Sequence, residues 1–367
     1  PKSFWKKDLE DGYIRMLQIR DFTQREKNNV EYIPYKKTLK TCEEHDILIG
    51  RYGASVGKIC TGLSGAYNVA LVKTKPNLDK IRRDFILHLL RGTIFQNFIL
   101  NVGDRAAQAG FNKGDLEGFE FSLPTLDQQK KIAAILDAAD AYRQKTKALI
   151  TKYEELTQSL FLDMFGDPVT NPKGWSYKTL GESLDFLTSG SRGWAKYYSN
   201  TGSVFLRIQN VGYHELRLED LTYADAPQSA EKNRTRVEIG DLLLTITADL
   251  GRTAVIPEGF PEANISQHLA LLRLKKFNNP FFVSSYIASN GGQSLFLKLD
   301  KGGVKAGLNF TDIKSYKIFD VPKEMQDQFE NKLIAIEAQK AQAQGSLVQA
   351  EDLFNSLLQK AFKGELL

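Results

Sequence analysis

The chain has 367 residues, 42% apolar and 25% charged, which is the balance of a globular protein and excludes a disordered, collagen-like or disulfide-stapled chain. At roughly 100–200 residues per domain, that length accommodates two or three domains. Basic residues exceed acidic ones by 49 − 44 = 5, an excess that permits nucleic acid as a partner without demanding it. In chain order, short branched-residue runs at Met16–Ile19, Ile47–Ile49 and Val69–Val72 predict strands, and a 3–4 apolar spacing predicts a helix near Asp84–Leu100. A further strand is expected at Phe119–Leu123. From Ile132 the positions Ile135, Ala139, Tyr142, Thr146, Leu149, Tyr153, Leu156 and Leu160 then step by threes and fours, the seam of a long helix that Gly166 stops. The same series follows again. Strands are expected at Val204–Ile208, Leu242–Ile246, Leu269–Leu274 and Tyr316–Val321, and a helix near Pro280–Leu297. A second seam runs through Phe329, Leu333, Ile336, Lys340, Ala343, Leu347, Ala350, Phe354, Leu357 and Ala361, stopped by Gly364.

The chain is therefore written twice. AGFNKGDL at 109–116 returns as AGLNFTDI at 306–313, an offset of 306 − 109 = 197, and that offset carries Gln129 onto Gln326 and Phe165 onto Phe362 without a gap. Upstream, MLQIRDF at 16–22 matches FLRIQNV at 205–211 with small shifts. The reading is α+β: two similar mixed domains, 1–125 and 167–323, and two long helices, 126–166 and 324–367. An apolar stripe of that length needs a partner, and the natural one is the other helix in an intramolecular coiled coil. The repeat favours antiparallel packing about a pseudo-twofold axis, with Ile135, Tyr142, Leu149, Tyr153 and Leu156 facing Leu333, Ile336, Leu347 and Phe354. Before Met16 stand only 15 residues, where the second unit has a longer opening between Asp167 and Phe205. The first unit is expected to have lost its start, in keeping with Pro rather than Met at residue 1.

No catalytic constellation emerges. His45, His88, His214 and His268 have no Cys or carboxylate at metal-ligand spacing, so no metal site is expected. GRYGASVGKI at 50–59 falls short of a phosphate loop, because Gly53 and Gly57 are separated by three residues and Ile59 follows Lys58. No GxGxxG opens a helix, and Asn171-Pro172-Lys173-Gly174 offers no aromatic face for a flipped base. Cys42 and Cys60 read as small buried residues, and so few cysteines point to a reducing, cytoplasmic compartment. The opening residues lack the apolar core of a signal peptide, and no run of about 18 apolar residues spans a membrane.

Two diverged domains at fixed separation make a ruler, and double-stranded DNA, repeating every ~10–10.5 base pairs, suits one. Lys80–Arg83 and Lys232–Arg236 fit phosphate contacts or a solvated face. Base reading needs Arg, Lys, Asn and Gln. The candidates are Gln18, Arg20, Arg51, Lys58, Arg105, Gln108 and Asn112 in the first unit, and Arg207, Gln209, Arg252, Lys301, Lys305 and Asn309 in the second. Gln18, Arg20, Arg207 and Gln209 are expected on strands. Asn309 has a second reading, as the cap of a turn containing Asp312.

The repeat, the Gly174-Trp175 opening followed by Leu180-Gly181-Glu182, the P-x-x-x-Q pattern at Pro124–Gln129 and near Pro322–Gln326, and the ending SLLQKAFKGEL at 356–366 resemble the specificity subunit of type I restriction–modification systems. SLFLDMFGDPVTNPKGW at 159–175 is similar to that family's junction between the first conserved helix and the second target recognition domain. The resemblance covers essentially the whole chain. It implies that each domain reads one half of a split, asymmetric DNA site and that the helices fix the spacer. Two modification subunits, which bind S-adenosylmethionine, would dock on the chain, with restriction subunits using ATP and Mg joining through the complex. The chain itself would hold no cofactor and catalyse nothing. The alternatives are the recognition portion of a fused methyltransferase–endonuclease and a coiled-coil scaffold independent of DNA.

Overall fold

The computed structural model describes residues 4–24, 29–103, 110–299 and 307–366. The chain divides into two compact units, Pro1–Ala148 with Gln344–Leu367, and Leu149–Ala343. Each long helix, Leu126–Phe165 and Lys323–Lys363, is thus shared between units.

In the first unit, strand Tyr13–Leu17 lies between an antiparallel neighbour, Tyr32–Pro34, and a parallel one, Gly65–Tyr67. Leu48–Gly50 pairs antiparallel with Ile59–Cys60 and Leu71–Lys73. The second unit repeats this plan. Ser203–Leu206 lies between antiparallel Thr222–Ala224 and parallel Ala263–Ile265. Leu242–Thr245 pairs with Thr253–Val255 and Leu269–Leu274, and Leu184–Ser189 extends the sheet. These strands read as near-continuous apolar runs because both faces are covered: Leu242, Leu243, Leu244, Leu269, Leu271 and Leu272 are all fully buried. Cys42 and Cys60 are buried together in the first unit's core.

Several expected elements differ. The late helix of each unit is two helices, Arg83–Arg91 with Thr93–Gly103, and Pro280–Ala288 with Asn290–Leu297. Gly92 and Ser289 take extended ψ angles of 155° and 154° and break them. A glutamine meets the freed carbonyls: Gln96 Nε2 donates to Leu90 O (2.7 Å) and Gly57 O (2.9 Å), and Gln293 Nε2 to Ile287 O (3.0 Å) and Gly251 O (2.5 Å). Phe119–Leu123 is not a strand. Its repeat equivalent, Lys317–Phe319, pairs with Tyr177–Thr179 from the second unit's longer opening. Among the described residues, no segment of the first unit pairs with 119–123.

Within each unit the long-helix segments run antiparallel. In the first, Arg143 lies 4.4 Å from the Phe354 ring centroid and Lys147 pairs with Glu351 at 2.8 Å, while Ile132 and Leu136 share a cluster with Leu358 and Ala361. In the second, Glu154 meets Lys340 at 3.5 Å, and Phe161 and Phe165 pack on Phe329 with centroids 5.9 and 5.4 Å apart. The second helix buries or half-buries every position of its expected seam. On the first helix, Ile135 and Tyr153 are half-buried, but Tyr142, Leu149 and Leu156 stand exposed. The expected Thr146 is buried, and Arg143, Ile150 and Thr157 face inward in place of those three. The 3–4 alternation has two phases, and hydrophobicity selected the apolar one. The partner helix selected the other, because Phe354 offers a face to the Arg143 guanidinium.

Gly166 and Gly364, at φ +83° and +79°, end the helices in the left-handed region that favours glycine. At the other end, a buried glutamine ties each long helix to the preceding late helix. Gln129 Oε1 accepts from Arg82 N (2.8 Å), and its Nε2 donates to Lys80 O and Pro124 O (2.9 and 2.8 Å). Gln326 Oε1 accepts from Asn279 N (2.8 Å), and its Nε2 donates to Val321 O (2.7 Å). Arg82 and Asn279 are themselves 279 − 82 = 197 apart, so the duplication extends to single hydrogen bonds.

Candidate nucleic-acid interface

Two parallel strands side by side deliver their following residues to one place. In the second unit, Ser203–Leu206 leads to Arg207 and Gln209, while Ala263–Ile265 leads to Ser266, Gln267 and His268. These residues line a cavity of about 220 Å³ together with Arg192 and Trp194. Trp194 forms its rigid wall, stacked on Phe205 at 5.0 Å and donating its indole N–H to Glu231 (2.7 Å). Thr247 and His268 Nδ1 lie 2.7 Å apart, and Gln267 meets His268 Nε2 at 3.0 Å. Arg192 is exposed, with no ion pair or hydrogen bond among the described residues. Ser266 Oγ and Gln267 Oε1 are buried without a partner. Buried polar atoms are nearly always satisfied, so these two stand out among the residues that line the cavity.

The strands end earlier than the sequence indicates, which changes the setting of four candidates. Gln18 and Arg207 cap short turns rather than continuing strands: Gln18 N donates to Asp21 Oδ2 (2.7 Å) and Arg207 N to Asn210 Oδ1 (2.9 Å). Arg20 lies in the short helix Ile19–Thr23 and Gln209 in the turn Ile208–Asn210. The first unit's pair is neutralised locally, because Glu31 accepts from both Gln18 (2.8 Å) and Arg20. In the second unit Arg207 reaches Asp220 at 3.3 Å, and Gln209 Oε1, turned to satisfy the guanidinium, accepts from it at 2.8 Å.

The other candidates are placed as follows. Arg51 donates through Nε to Phe111 O (2.6 Å), and Lys58 is exposed. Arg252 pairs with Asp249 (2.7 Å). Asn112 Oδ1 accepts from Gly114 N and Asp115 N (2.8 and 3.2 Å), and Asn309 Oδ1 accepts from Asp312 N (3.0 Å). Both amide oxygens cap turns, so their reach toward a ligand is confined to the amide nitrogens. Arg105, Gln108, Lys301 and Lys305 lie outside the described residues. In the basic clusters, Arg234 is committed to Ser189 O (2.7 Å) and Ser191 (3.1 Å), and Arg82 to Asp84 (2.6 Å). Lys80, Arg83 and Arg236 are exposed.

Sequence reasoning missed Arg192, Trp194, Ser266, Gln267 and His268. The available signal was the Gly190–Gly193 loop before a tryptophan, and a polar triplet closing one strand before Leu269 opens the next. His214 is also outside the expected set. Its φ is +67°, and burial, with the Lys340 charge behind it, pushes its imidazole down to about 4. Among the described residues, no group of three or more His, Cys, Asp or Glu could hold a metal ion, and no single helix is long and apolar enough to cross a membrane.

Two repeated mixed units are carried on long helices, and in the second of them polar side chains gather beyond a parallel strand pair. Comparison with known proteins gives the chain a set of relatives. Residues 1–158 match the family described as "Type I restriction modification DNA specificity domain". The chain is 21% identical over 352 residues to the EcoBI specificity subunit of Escherichia coli, covering 88% of this chain and 73% of that one. It is 24% identical to the EcoKI specificity subunit of the same species, covering 77% of this chain and 65% of the relative. Two solved structures share the fold: one from work on assembly and conformational transition of a type I system (TM-score 0.60, 18% identity, 96% and 92% covered), and a type I S subunit from M. genitalium (TM-score 0.57, 14% identity, 98% and 93% covered). The chain is thus similar along most of its length to specificity subunits of type I restriction–modification systems, and residues 1–158 match their DNA specificity domain.

Proposed function

We propose that this chain is the DNA-reading, non-catalytic component of a type I complex, and that each unit reads one half of a bipartite, asymmetric duplex site. The observation that carries this reading is the second unit's cavity, where Arg192, Arg207, Gln209 and Gln267 converge beside two unsatisfied buried polar atoms. Arg and Gln are the side chains that make bidentate contacts to base edges in the major groove. The two long helices act as the spacer between half-sites. Their 40 and 41 residues correspond to rods of about 60 Å at 1.5 Å per residue. Modification subunits that bind S-adenosylmethionine are the partners, and restriction subunits using ATP and Mg join through them.

The test is to place this subunit with its modification partner in a host lacking other such systems and map adenine methylation across the genome. A split motif with a fixed spacer is expected. In the same assay, Arg207→Ala should relax one half-motif only. Methylation at a continuous motif, or none beyond background, would overturn the proposal.

A further inference from the structure

Lys340 occupies a seam position of the second long helix where every neighbouring seam residue on that helix is apolar. It is 8% exposed. A buried ammonium at such a position is unfavourable unless carboxylates hold it, and three do: Glu154 at 3.5 Å, Glu215 at 3.9 Å and Glu337 at 4.0 Å. Its repeat counterpart, 340 − 197 = 143, is Arg143, which pairs with Asp140 at 2.5 Å, three residues back on the same helix. Lys340 differs in reaching off the helices. Glu215 belongs to the hairpin that follows the Arg207–Asn210 turn.

That hairpin is hydrogen-bonded as one piece. Gly212 N donates to Glu215 O (2.9 Å), and Arg217 N donates to Asn210 O (2.9 Å). Arg217 Nε donates to Glu215 Oε1 (3.1 Å). Asn210, 1% exposed, joins hairpin to turn: its Nδ2 donates to Arg217 O (3.0 Å) and Asp220 O (3.2 Å), and its Oδ1 accepts from Arg207 N. Beside this path lies a cavity of about 530 Å³ lined by Lys340, Glu154, Glu337, Glu215, His214 and Gln293, among others. On its far side the hairpin is held by Val211 and Leu216 in the second unit's core and by Thr253 N donating to Gly212 O (3.1 Å); toward the helices, across that space, the Lys340–Glu215 pair is the direct ionic link.

We propose that Lys340 is a positioning residue for DNA recognition: through Glu215 and the 211–217 hairpin it sets the pose of Arg207 and Gln209 at the second unit's half-site. This rests on the reading that those two side chains contact DNA. It assigns the long helix a role in specificity within a half-site, in addition to the spacing between half-sites.

The experiment uses the full chain assembled with its modification subunits and measures equilibrium binding, at one fixed salt concentration, to duplexes carrying single substitutions in either half of the mapped site. Lys340→Leu makes the seam apolar, and replacing a buried ion pair by an apolar side chain is often neutral or stabilising. Its melting temperature should hold or rise. Discrimination at the second unit's half-site should fall about tenfold, the order of one lost base contact, with the other half-site unchanged. Lys340→Arg should retain discrimination. Glu215→Gln cuts the same link without touching the seam and should reproduce the loss, which keeps the test decisive if the leucine variant misfolds. Arg207→Ala is the control. If it loses discrimination while Lys340→Leu and Glu215→Gln keep it, the positioning role is refuted and the reading of Arg207 stands. If Arg207→Ala changes nothing at either half-site, the reading itself fails.

Discussion

Replacing Gln326 with Leu removes the second unit's helix tie while nearly preserving side-chain volume. Gln326 is fully buried, and its two partners lie on Asn279 and Val321, which are 2% and 4% exposed. The substitution leaves the Asn279 N–H and the Val321 carbonyl without protein partners and with little access to water. At about 1–3 kcal/mol for each of the two buried orphaned groups, the expected loss is about 2–6 kcal/mol. In a unit of 343 − 149 + 1 = 195 residues, each kcal/mol corresponds to about 2–4 °C, so the melting temperature should drop by about 4–24 °C. Gln129→Leu breaks three hydrogen bonds, yet it should cost less, about 1–3 kcal/mol. Its partners sit on exposed Lys80 and half-buried Arg82 and Pro124, which water can resatisfy. The two sites share no partner, so their losses should add. Urea unfolding followed by circular dichroism reads all three variants. A loss below about 0.5 kcal/mol for Gln326→Leu, or a greater loss for Gln129→Leu, would refute the argument that burial of the orphaned groups sets the cost.

Three further outcomes are expected. Asn309→Ala removes the cap of the Phe310–Ser315 helix and should lower unfolding free energy by about 0.5–2 kcal/mol, read in the free protein by denaturant midpoint; an unchanged midpoint would return the residue to a purely reading role. His214 is held down to about 4 against about 6.5 in an unfolded chain. The folded state therefore binds fewer protons between those values, so its stability should fall as pH drops from about 6.5 toward 4. His214→Gln should remove that part of the slope, and an identical pH–stability curve would show that this imidazole does not stay neutral. Deleting seven residues in register from each long helix shortens the rod by about 10 Å, about three base pairs of duplex; methylation mapping should find a shorter spacer with both half-motifs intact, and changed half-motifs at constant spacer would count against the ruler.

The duplication was legible from residues alone because it is a property of order: one offset of 197 places Gln129 on Gln326 and Asn112 on Asn309. The long helices were legible as well, since a 3–4 apolar repeat ended by Gly166 and Gly364 is a local signal that needs no knowledge of the rest of the chain. What the sequence could not settle is who faces whom. Tyr142 and Leu156 are better seam residues by hydrophobicity than Arg143 and Thr157, and Leu149 and Ile150 are equal in that respect. The ring of Phe354 and the carboxylates around Lys340 turned the helix to the other phase. Phe119–Leu123 has the composition of a strand but no partner among the described residues, and a strand exists only by pairing. The binding concavity depends most on tertiary structure. Arg207 and His268 are 61 residues apart (268 − 207), and what joins them is the parallel pairing of Ser203–Leu206 with Ala263–Ile265. Periodicity and repetition are written along the chain, whereas the phase of a helix and the convergence of two strand ends depend on groups distant in sequence.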